Sequence, residues 1–439
     1  MAVSRATSEE QNSSSAAASP HANADFHIPD VSAADYDPVQ EQKENLDRAA
    51  QNAEIAKVDQ VADDGLSDDM FADDFDVNRV DNKPRELDMN LIEDHDDEAS
   101  YYRITVHELI DNRYVVRGEL GKGSYAVVVL AFDKVTQNYI ALKIFRKNDH
   151  IRQAGLKELD TLKRLIDADT DCDQHIVGFY RSFYYKKHLC LVFERLEGDV
   201  RGLVKTAGHG LALSTVVKLA KDMFLALDFM KRCKFIHADL KPDNMLFYNN
   251  RQNLKFGDLG IAYKAADAVL HPMDNAGSRF YRSPEALLGI PHSYGIDIWA
   301  IACSLYEVFS GQVLFPGRHN NEMLEAIMEV RGKIPHSLQK RGKLSWHHFN
   351  QIDGLFKQAI ELDTEGRPYS WRVRTDIRQH PTRDIKARVL AAAKIKNLDT
   401  EETKKARLFA DLLDKCLRMD PEKRIGPREA LQHPLFEST

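Results

Sequence analysis

Between residues 237 and 244 the chain reads His237-Ala238-Asp239-Leu240-Lys241-Pro242-Asp243-Asn244, and Asp258-Leu259-Gly260 follows at a short interval. No other stretch restricts the possible folds as much. An Asp with a Lys two residues on and an Asn five residues on is a demanding pattern. A polar loop formed by chance would not also be matched by a second motif at the right separation. Each residue type suits one task. The Asp239 carboxylate can accept the proton of an incoming hydroxyl, and the Lys241 ammonium can neutralise charge on a moving phosphoryl group. Asn244 and Asp258 offer oxygen ligands to a hard cation. Gly260 suits a loop that must turn sharply after Asp258.

Two upstream features have the complementary chemistry. Gly121-Lys122-Gly123-Ser124-Tyr125-Ala126-Val127-Val128 lies between two strand-like runs. Its glycines let a hairpin backbone close over phosphates with N–H groups pointing inward. Alone, a Gly-x-Gly hairpin turn is common for structural reasons. No Gly-Lys-Ser/Thr follows as in a Walker A loop, and a strand rather than a helix comes next, unlike a dinucleotide fingerprint. Fifteen residues after Val128 comes Lys143, in Ile140-Ala141-Leu142-Lys143. A lone Lys in an apolar strand usually snorkels to an edge. Here Glu158, on the helix that follows, is a candidate partner, and such a pair can grip the α- and β-phosphates of ATP.

Of 439 residues, 43% are hydrophobic, enough for one large or two moderate cores. No run of 18 apolar residues occurs, and residues 1–20 carry neither a secretory signal core nor, with Ala2, a myristoylation site. The five scattered cysteines fit reduced thiols in an intracellular protein. The net charge of −8 hides an asymmetry: residues 1–100 hold 26 acidic and 7 basic residues, the remainder 42 and 53. The division is an acidic tail over 1–100, expected to be disordered, and an ordered body over 101–439. Within the tail, Asp68–Val77 mixes Met70, Phe71 and Phe75 with aspartates, either as a docking segment or as chance apolars. In the body, strand patterns come first: YVVRGEL, AVVVLAFD, YIALKIF and HLCLVFE. Helical patterns then dominate: STVVKLAKDMFLALDFMKRC, GIDIWAIACSLYEVFSG and KKARLFADLLDKCLRM. This order implies an α+β architecture with a sheet-rich lobe and a helical lobe.

The Gly-rich loop, Ile-Ala-Leu-Lys, the Glu158 helix, HADLKPDN, DLG and Ser283-Pro284-Glu285 stand in the order of the eukaryotic protein kinase signature set, which they resemble over about Tyr101 to Phe436. The resemblance implies a bilobal kinase fold, with a small lobe over about 101–195 and a large lobe over 196–439, and ATP and Mg2+ between them. It implies a nucleotide site built from Leu120, Gly121, Lys122, Gly123, Ser124, Tyr125, Ala126, Val128, Lys143 and Glu158. Phe193 would gate the back of the adenine pocket, Glu194 and Leu196 would present hinge backbone groups, and Leu246 would form the floor. Asp239 and Lys241 would be catalytic, and Asn244 and Asp258 would ligate the metal. His237 and Asp297 would support the catalytic loop, and Arg424 would pair with Glu285. Lys241 points to serine/threonine specificity. SRFYRSPE, with Arg279 and Arg282, resembles the CMGC group, as does a large-lobe insert over about 318–409. Phrases such as YYRITVHELIDNRY, KRCKFIHADLKPDN and LFPGRHNNEML resemble the pre-mRNA-processing-factor-4 kinase family, a spliceosomal relative of the DYRK kinases. That likeness implies a nuclear, monomeric catalytic domain acting on protein substrates such as splicing factors, with no direct nucleic-acid or membrane binding.

The sequence departs from the family pattern in places. Ala126 replaces the third loop glycine, Leu259 the Phe of DFG, and Ala238 the Arg of His-Arg-Asp. Asn275 occupies the position where relatives carry a phosphorylatable tyrosine, and residues 273–277 contain no Ser, Thr or Tyr. Activity without activation-loop phosphorylation is the expectation. The basic Arg/Ser-rich extension of spliceosomal relatives is replaced by acidic residues. Two alternatives stay open: a pseudokinase scaffold, against which the full residue set argues, and a DYRK- or CLK-like kinase working outside splicing.

Overall fold

The structure, a computed structural model, describes residues 96–97, 99–168, 175–268, 277–362 and 368–437. The small lobe opens with β1 (Leu109–Ile110), β2 (Tyr114–Lys122), β3 (Ala126–Asp133) and β4 (Asn138–Phe145). Helix α1 (Asp149–Ala168), β5 (Phe179–Tyr185) and β6 (His188–Glu194) complete it. The sheet is antiparallel throughout, in the order β1-β2-β3-β4-β6-β5. Strand alternation sorts its side chains onto two faces. Val127, Val129, Ile140, Leu142, Ile144, Cys190 and Val192 form an outer cluster with Tyr102 and Tyr114. Ala126, Phe145, Leu189, Leu191 and Phe193 face inward, to the main core.

Helix α1 is started by Asn148, whose side chain accepts the N–H groups of His150 at 2.9 Å and Ile151 at 3.3 Å. Its leucine stripe buries Leu162 and Leu165, with Leu156 and Leu159 packed at the edge. Gly155 sets how near helix and sheet can come: a Cβ there would lie 2.9 Å from Leu189 and 3.1 Å from Phe145. This close approach carries Glu158 beneath β4.

The large lobe contains α2 (Val200–Ala207), α3 (Leu213–Arg232), β7 (Phe235–Ile236), β8 (Met245–Tyr248), β9 (Asn253–Phe256) and β10 (Tyr263–Lys264). Then come α4 (Pro284–Leu287), α5 (Gly295–Ser310), α6 (Asn320–Arg331), α7 (His336–Arg341) and α8 (Ser345–His348). A hairpin, β11 (Phe356–Leu362) with β12 (Pro368–Arg374), precedes α9 (Ile385–Ile395), α10 (Thr400–Cys416) and α11 (Pro427–Leu431). Helix α5 is buried from Ile296 to Phe309, as its apolar residues on all sides require. Each large side chain so buried contributes about 1.5–3 kcal/mol. Helix α10 begins with a capping box between Asp399 and Glu402.

Two boundaries shift relative to the sequence reading. Asp96 and Asp97, assigned there to the tail, are bonded to the small lobe: Asp96 accepts from His188 at 2.8 Å, and Asp97 pairs with Lys122 at 3.1 Å. The stretch 318–409 also begins and ends in core helix. Met323, Leu324 and Ile327 of α6 and Phe409 of α10 are buried in the main core, so what stands out from the lobe lies between them. Among the described residues no helix is long and apolar enough to cross a membrane. Cys190, Cys303 and Cys416 are buried thiols, and burial pushes Cys190 up to about 12. Cys172, Asp68–Val77 and the rest of residues 1–95 lie outside the described residues.

Candidate active site

The β2–β3 hairpin holds the Gly-rich turn, with Gly121 opposite Val128 and Lys122 opposite Val127. A bond from Gly123 N–H to Ala126 O at 2.9 Å closes it. Val128 pairs with Lys143 across β3–β4, and Ala141 with Phe193 across β4–β6, so these four side chains share the sheet's inner face. Leu120 is exposed at the rim. Ser124 is buried in the turn. The Tyr125 phenol is raised by burial and then by the carboxylates of Asp258 and Asp239, and its ring is partly buried against the main core.

Lys143 Nζ donates to both Glu158 oxygens at 2.8 Å and to Asp258 Oδ1 at 3.0 Å. Burial alone would lower the ammonium; the charges of Asp258 and Glu158 outweigh it and hold Lys143 above its ordinary range. Asp258 is held down to about 2, first by the charge of Lys143, against the effect of burial. Its side chain keeps 42% of its surface open to the cleft, whereas Glu158 keeps 2%. Burial raises Glu158, and Lys143 opposes this.

At the back of the cleft Phe193 is buried edge-on to Phe179, ring centroids 5.9 Å apart. The Glu194 carboxylate accepts from Lys255 Nζ at 2.6 Å and from Gly178 N–H at 2.5 Å, so that side chain is turned from the sheet's inner face toward the lobe junction. Leu196 packs half-buried on the main core. Leu246, on β8, lies against Gly257, where a Cβ would come within 2.6 Å of it. That places Leu246 beside the residue preceding Asp258.

Asp239 leaves β7 on a short irregular loop. Asp297, buried at the start of α5, accepts the N–H groups of His237 at 2.8 Å and Ala238 at 2.9 Å. Burial raises Asp297, and those two bonds oppose it. His237 Nε2 lies 3.0 Å from Gly257 O, tying the Asp239 loop to the Asp258 loop. Ala238 and Asp258 both adopt left-handed backbone, φ 67° and 50°, a conformation that costs about 1–3 kcal/mol away from glycine. Asn244 Nδ2 donates to Asp239 O at 2.8 Å and to its carboxylate at 3.2 Å. This orientation leaves the amide oxygen as the acceptor Asn244 can offer. With the Asp258 carboxylate it makes an oxygen donor set that suits Mg2+, which takes one or two side-chain ligands and completes its shell with phosphate oxygens and water.

Sequence reasoning missed the strongest partner of Asp239. Ser278 donates both its N–H and its hydroxyl to Asp239 Oδ1, each at 2.8 Å, and Lys241 Nζ lies 2.8 Å from the same hydroxyl. Lys241 is also 3.2 Å from Asp239 Oδ2. Burial would lower Lys241, but Asp239, Asp243 and Asp258 raise it. Gly277 makes this possible: its φ is 76°, and a Cβ there would sit 2.4 Å from Ala238 O. Nothing in the local sequence marks Ser278 or Gly277 as neighbours of a loop some forty residues earlier.

The anchors of the following segment are buried. Arg424 donates to Glu285 at 2.5 and 3.0 Å, and its guanidinium lies 5.2 Å from the Trp299 ring centre. Tyr281 donates to Glu307 Oε2 at 2.6 Å, and Arg201, also missed from sequence, bonds Glu307, Tyr281 and Asp243. Arg279 is buried. Arg282 donates to Gly277 O at 2.9 Å and Asn320 Oδ1 at 3.1 Å. Ala238 joins a small apolar cluster with Ile236, Tyr263, Ala268 and Ile296. Asn275 lies outside the described residues.

Comparison with known proteins agrees with this geometry. The protein kinase domain model matches residues 114–436. The serine/threonine-protein kinase prp4 of Schizosaccharomyces pombe is 41% identical over 349 residues, covering 78% of this chain and 70% of the relative. The serine/threonine-protein kinase prpf4B of Dictyostelium discoideum is 35% identical, covering 80% of this chain and 42% of the relative. The human dual specificity tyrosine-phosphorylation-regulated kinase 4 is 32% identical, covering 77% and 60%. The chain belongs to the protein kinase family, as a serine/threonine kinase on the branch shared by the prp4 and dual specificity tyrosine-phosphorylation-regulated kinases.

Proposed function

We propose that the chain transfers the γ-phosphoryl group of Mg·ATP to serine or threonine hydroxyls of proteins, with Asp239 as the proton acceptor. The observation that carries this reading is the single cleft in which Lys143 bonds both Glu158 and Asp258 while Asp239 and Lys241 share the Ser278 hydroxyl. Bound ATP with Mg2+ supplies the phosphoryl group and the charge that polarises it. Asp258 and the Asn244 amide oxygen would hold the metal, and Lys143 would hold the nucleotide phosphates. The Gly-rich turn would cover them, and main-chain groups near Glu194 and Leu196 would take the adenine, with Val128, Phe193 and Leu246 around it. Asp239 orients the substrate hydroxyl and takes its proton, and Lys241 stabilises charge on the group in transit. His237 and Asp297 fix this loop.

The residues from Asp96 onward, with Asp96 and Asp97 bonded to the small lobe, then act as the catalytic domain, joined to the acidic segment before them. Splicing factors are the proposed substrates and the nucleus the proposed site of action, supported by the likeness to the prp4 kinase and to the spliceosomal family phrases. Purified full-length chain is to be assayed with Mg·ATP on a panel of splicing factors and a control basic protein. Phosphoserine or phosphothreonine formed preferentially on the splicing factors supports the proposal. Equal rates on all proteins would overturn the substrate assignment, and absence of any Mg2+-dependent transfer would favour a scaffold.

A further inference from the structure

The Gly-rich turn is held from outside by the segment that leads into the small lobe. The Tyr101 hydroxyl donates to Gly123 O at 2.8 Å and Ser124 O at 3.2 Å. Arg146 adds a bond to Ser124 O at 3.0 Å. Two cations lie over the Tyr101 ring, Lys122 at 4.0 Å and Arg146 at 4.7 Å from its centre. Asp97 stiffens the segment: it accepts the N–H groups of Tyr101 at 2.8 Å and Ala99 at 3.0 Å and pairs with Lys122 at 3.1 Å. Arg146 Nε donates to Ala99 O at 2.7 Å, and Lys147 N–H to Ser100 O at 3.0 Å.

A carbonyl and the N–H that follows it point opposite ways across a trans peptide. Drawing the Gly123 and Ser124 carbonyls outward therefore turns the Ser124 and Tyr125 N–H groups the other way. That is the side away from Tyr101 and Arg146. Without the Tyr101 hydroxyl the Gly123–Ser124 peptide plane loses its outer bond and the next plane keeps only the one from Arg146, and a loop must give up such freedom to bind an anion.

We propose that Asp97 together with Ala99, Ser100 and Tyr101 forms a latch on the Gly-rich turn, and that the Tyr101 hydroxyl is a positioning group that presets the Ser124 and Tyr125 N–H groups for the phosphates of ATP. The inference rests on reading this turn as the phosphate-holding loop. It also means that the acidic N-terminal segment joins the domain at a point in direct contact with that loop.

Tyr101→Phe in the full-length chain keeps the ring under Lys122 and Arg146 and removes only the hydroxyl. Calorimetry compares Mg·ATP with adenosine, which has no phosphates, alongside steady-state kinetics. The expected result is ATP binding weakened about threefold to tenfold, the range for loss of a single hydrogen bond. Adenosine binding stays unchanged, the KM for ATP rises by the same factor, and kcat stays within about twofold. Asp97→Asn moves the values in the same direction by less. Parallel weakening of ATP and adenosine would overturn the latch in favour of general support of the lobe. ATP binding left unchanged by Tyr101→Phe would overturn it outright. If the unsubstituted chain bound ATP no more tightly than adenosine, the phosphate-holding reading of the turn would fail and the latch with it.

Discussion

Among the described residues the hydrogen-bond and ion-pair partners of the Asp239 carboxylate, Ser278, Asn244 and Lys241, are all donors, and this gives Asp239→Asn two separable consequences. Oδ1 receives the Ser278 N–H and hydroxyl, both at 2.8 Å. Oδ2 faces Asn244 Nδ2 and Lys241 Nζ, both at 3.2 Å. An asparagine keeping its oxygen toward Ser278 turns its amide nitrogen onto two donors. One charge-assisted bond is lost, and Lys241 keeps the Ser278 hydroxyl but loses its nearest anion. Such a misfit costs about 1–3 kcal/mol. Unfolding entropy of about 2.1 cal/mol/K per residue over roughly 340 ordered residues gives ~0.7 kcal/mol/K, so 2 kcal/mol lowers the melting temperature by about 3 °C. Turnover falls much further, ~10²–10⁴-fold, because the substrate hydroxyl loses its proton acceptor. Turnover measured well below the melting temperature, with saturating Mg·ATP, separates the two effects. Phosphorylation of a good peptide at the unsubstituted rate would refute the assignment of the base. An unchanged melting temperature would refute the account of its donors.

Further expectations follow from the anchors and the tail. Glu285→Gln leaves the buried Arg424 guanidinium without its carboxylate and should cost about 3 kcal/mol, softened by the carbonyls of Arg418 and Gly295 that it also reaches. Paired replacement with Glu285→Leu and Arg424→Met should recover much of this loss, and a double-mutant cycle with zero coupling would sink the idea. The acidic tail, with 26 acidic and 7 basic residues beside a body holding 42 and 53, is expected to lie across a basic-substrate groove and compete with basic substrates; deleting residues 1–95, which spares the Asp97–Tyr101 segment, should lower the KM for a basic peptide at low salt and have less effect at high salt, and no change at either salt concentration counts against this competition. Phosphatase-treated enzyme, checked by mass spectrometry between Asp258 and Glu285, should keep its turnover. Ala238 sits among apolar residues, and Arg282 is bonded to Gly277 and Asn320. A large loss of activity restored by rephosphorylation would refute that expectation and point to Tyr281 or Ser278, both buried and hydrogen-bonded here.

Some of this protein was legible in the chain because local chemistry carries it. Strand alternation announced β2, β3, β4 and β6, and the leucine spacing announced α1, since both periods are properties of the backbone. Strand β5 was passed over, because FYRSFYY is aromatic on both faces and half-exposed along its length, so no alternation shows. The partnership of Lys143 with Glu158 could be guessed from a strand followed by a helix; its third member, Asp258, lies 115 residues away in sequence and joined it only when the lobes met. Asp239 and Asn244 were visible as a motif, yet the group that holds the Asp239 carboxylate, Ser278, carries no mark of its role. Its place depends on Gly277 passing within contact of the Ala238 carbonyl. The grip of Tyr101 on the Gly-rich turn was hidden for the same reason. A sequence fixes which groups are present and their local periodicity, whereas a hydrogen bond between loops depends on the three-dimensional path that brings donor and acceptor within about 3 Å.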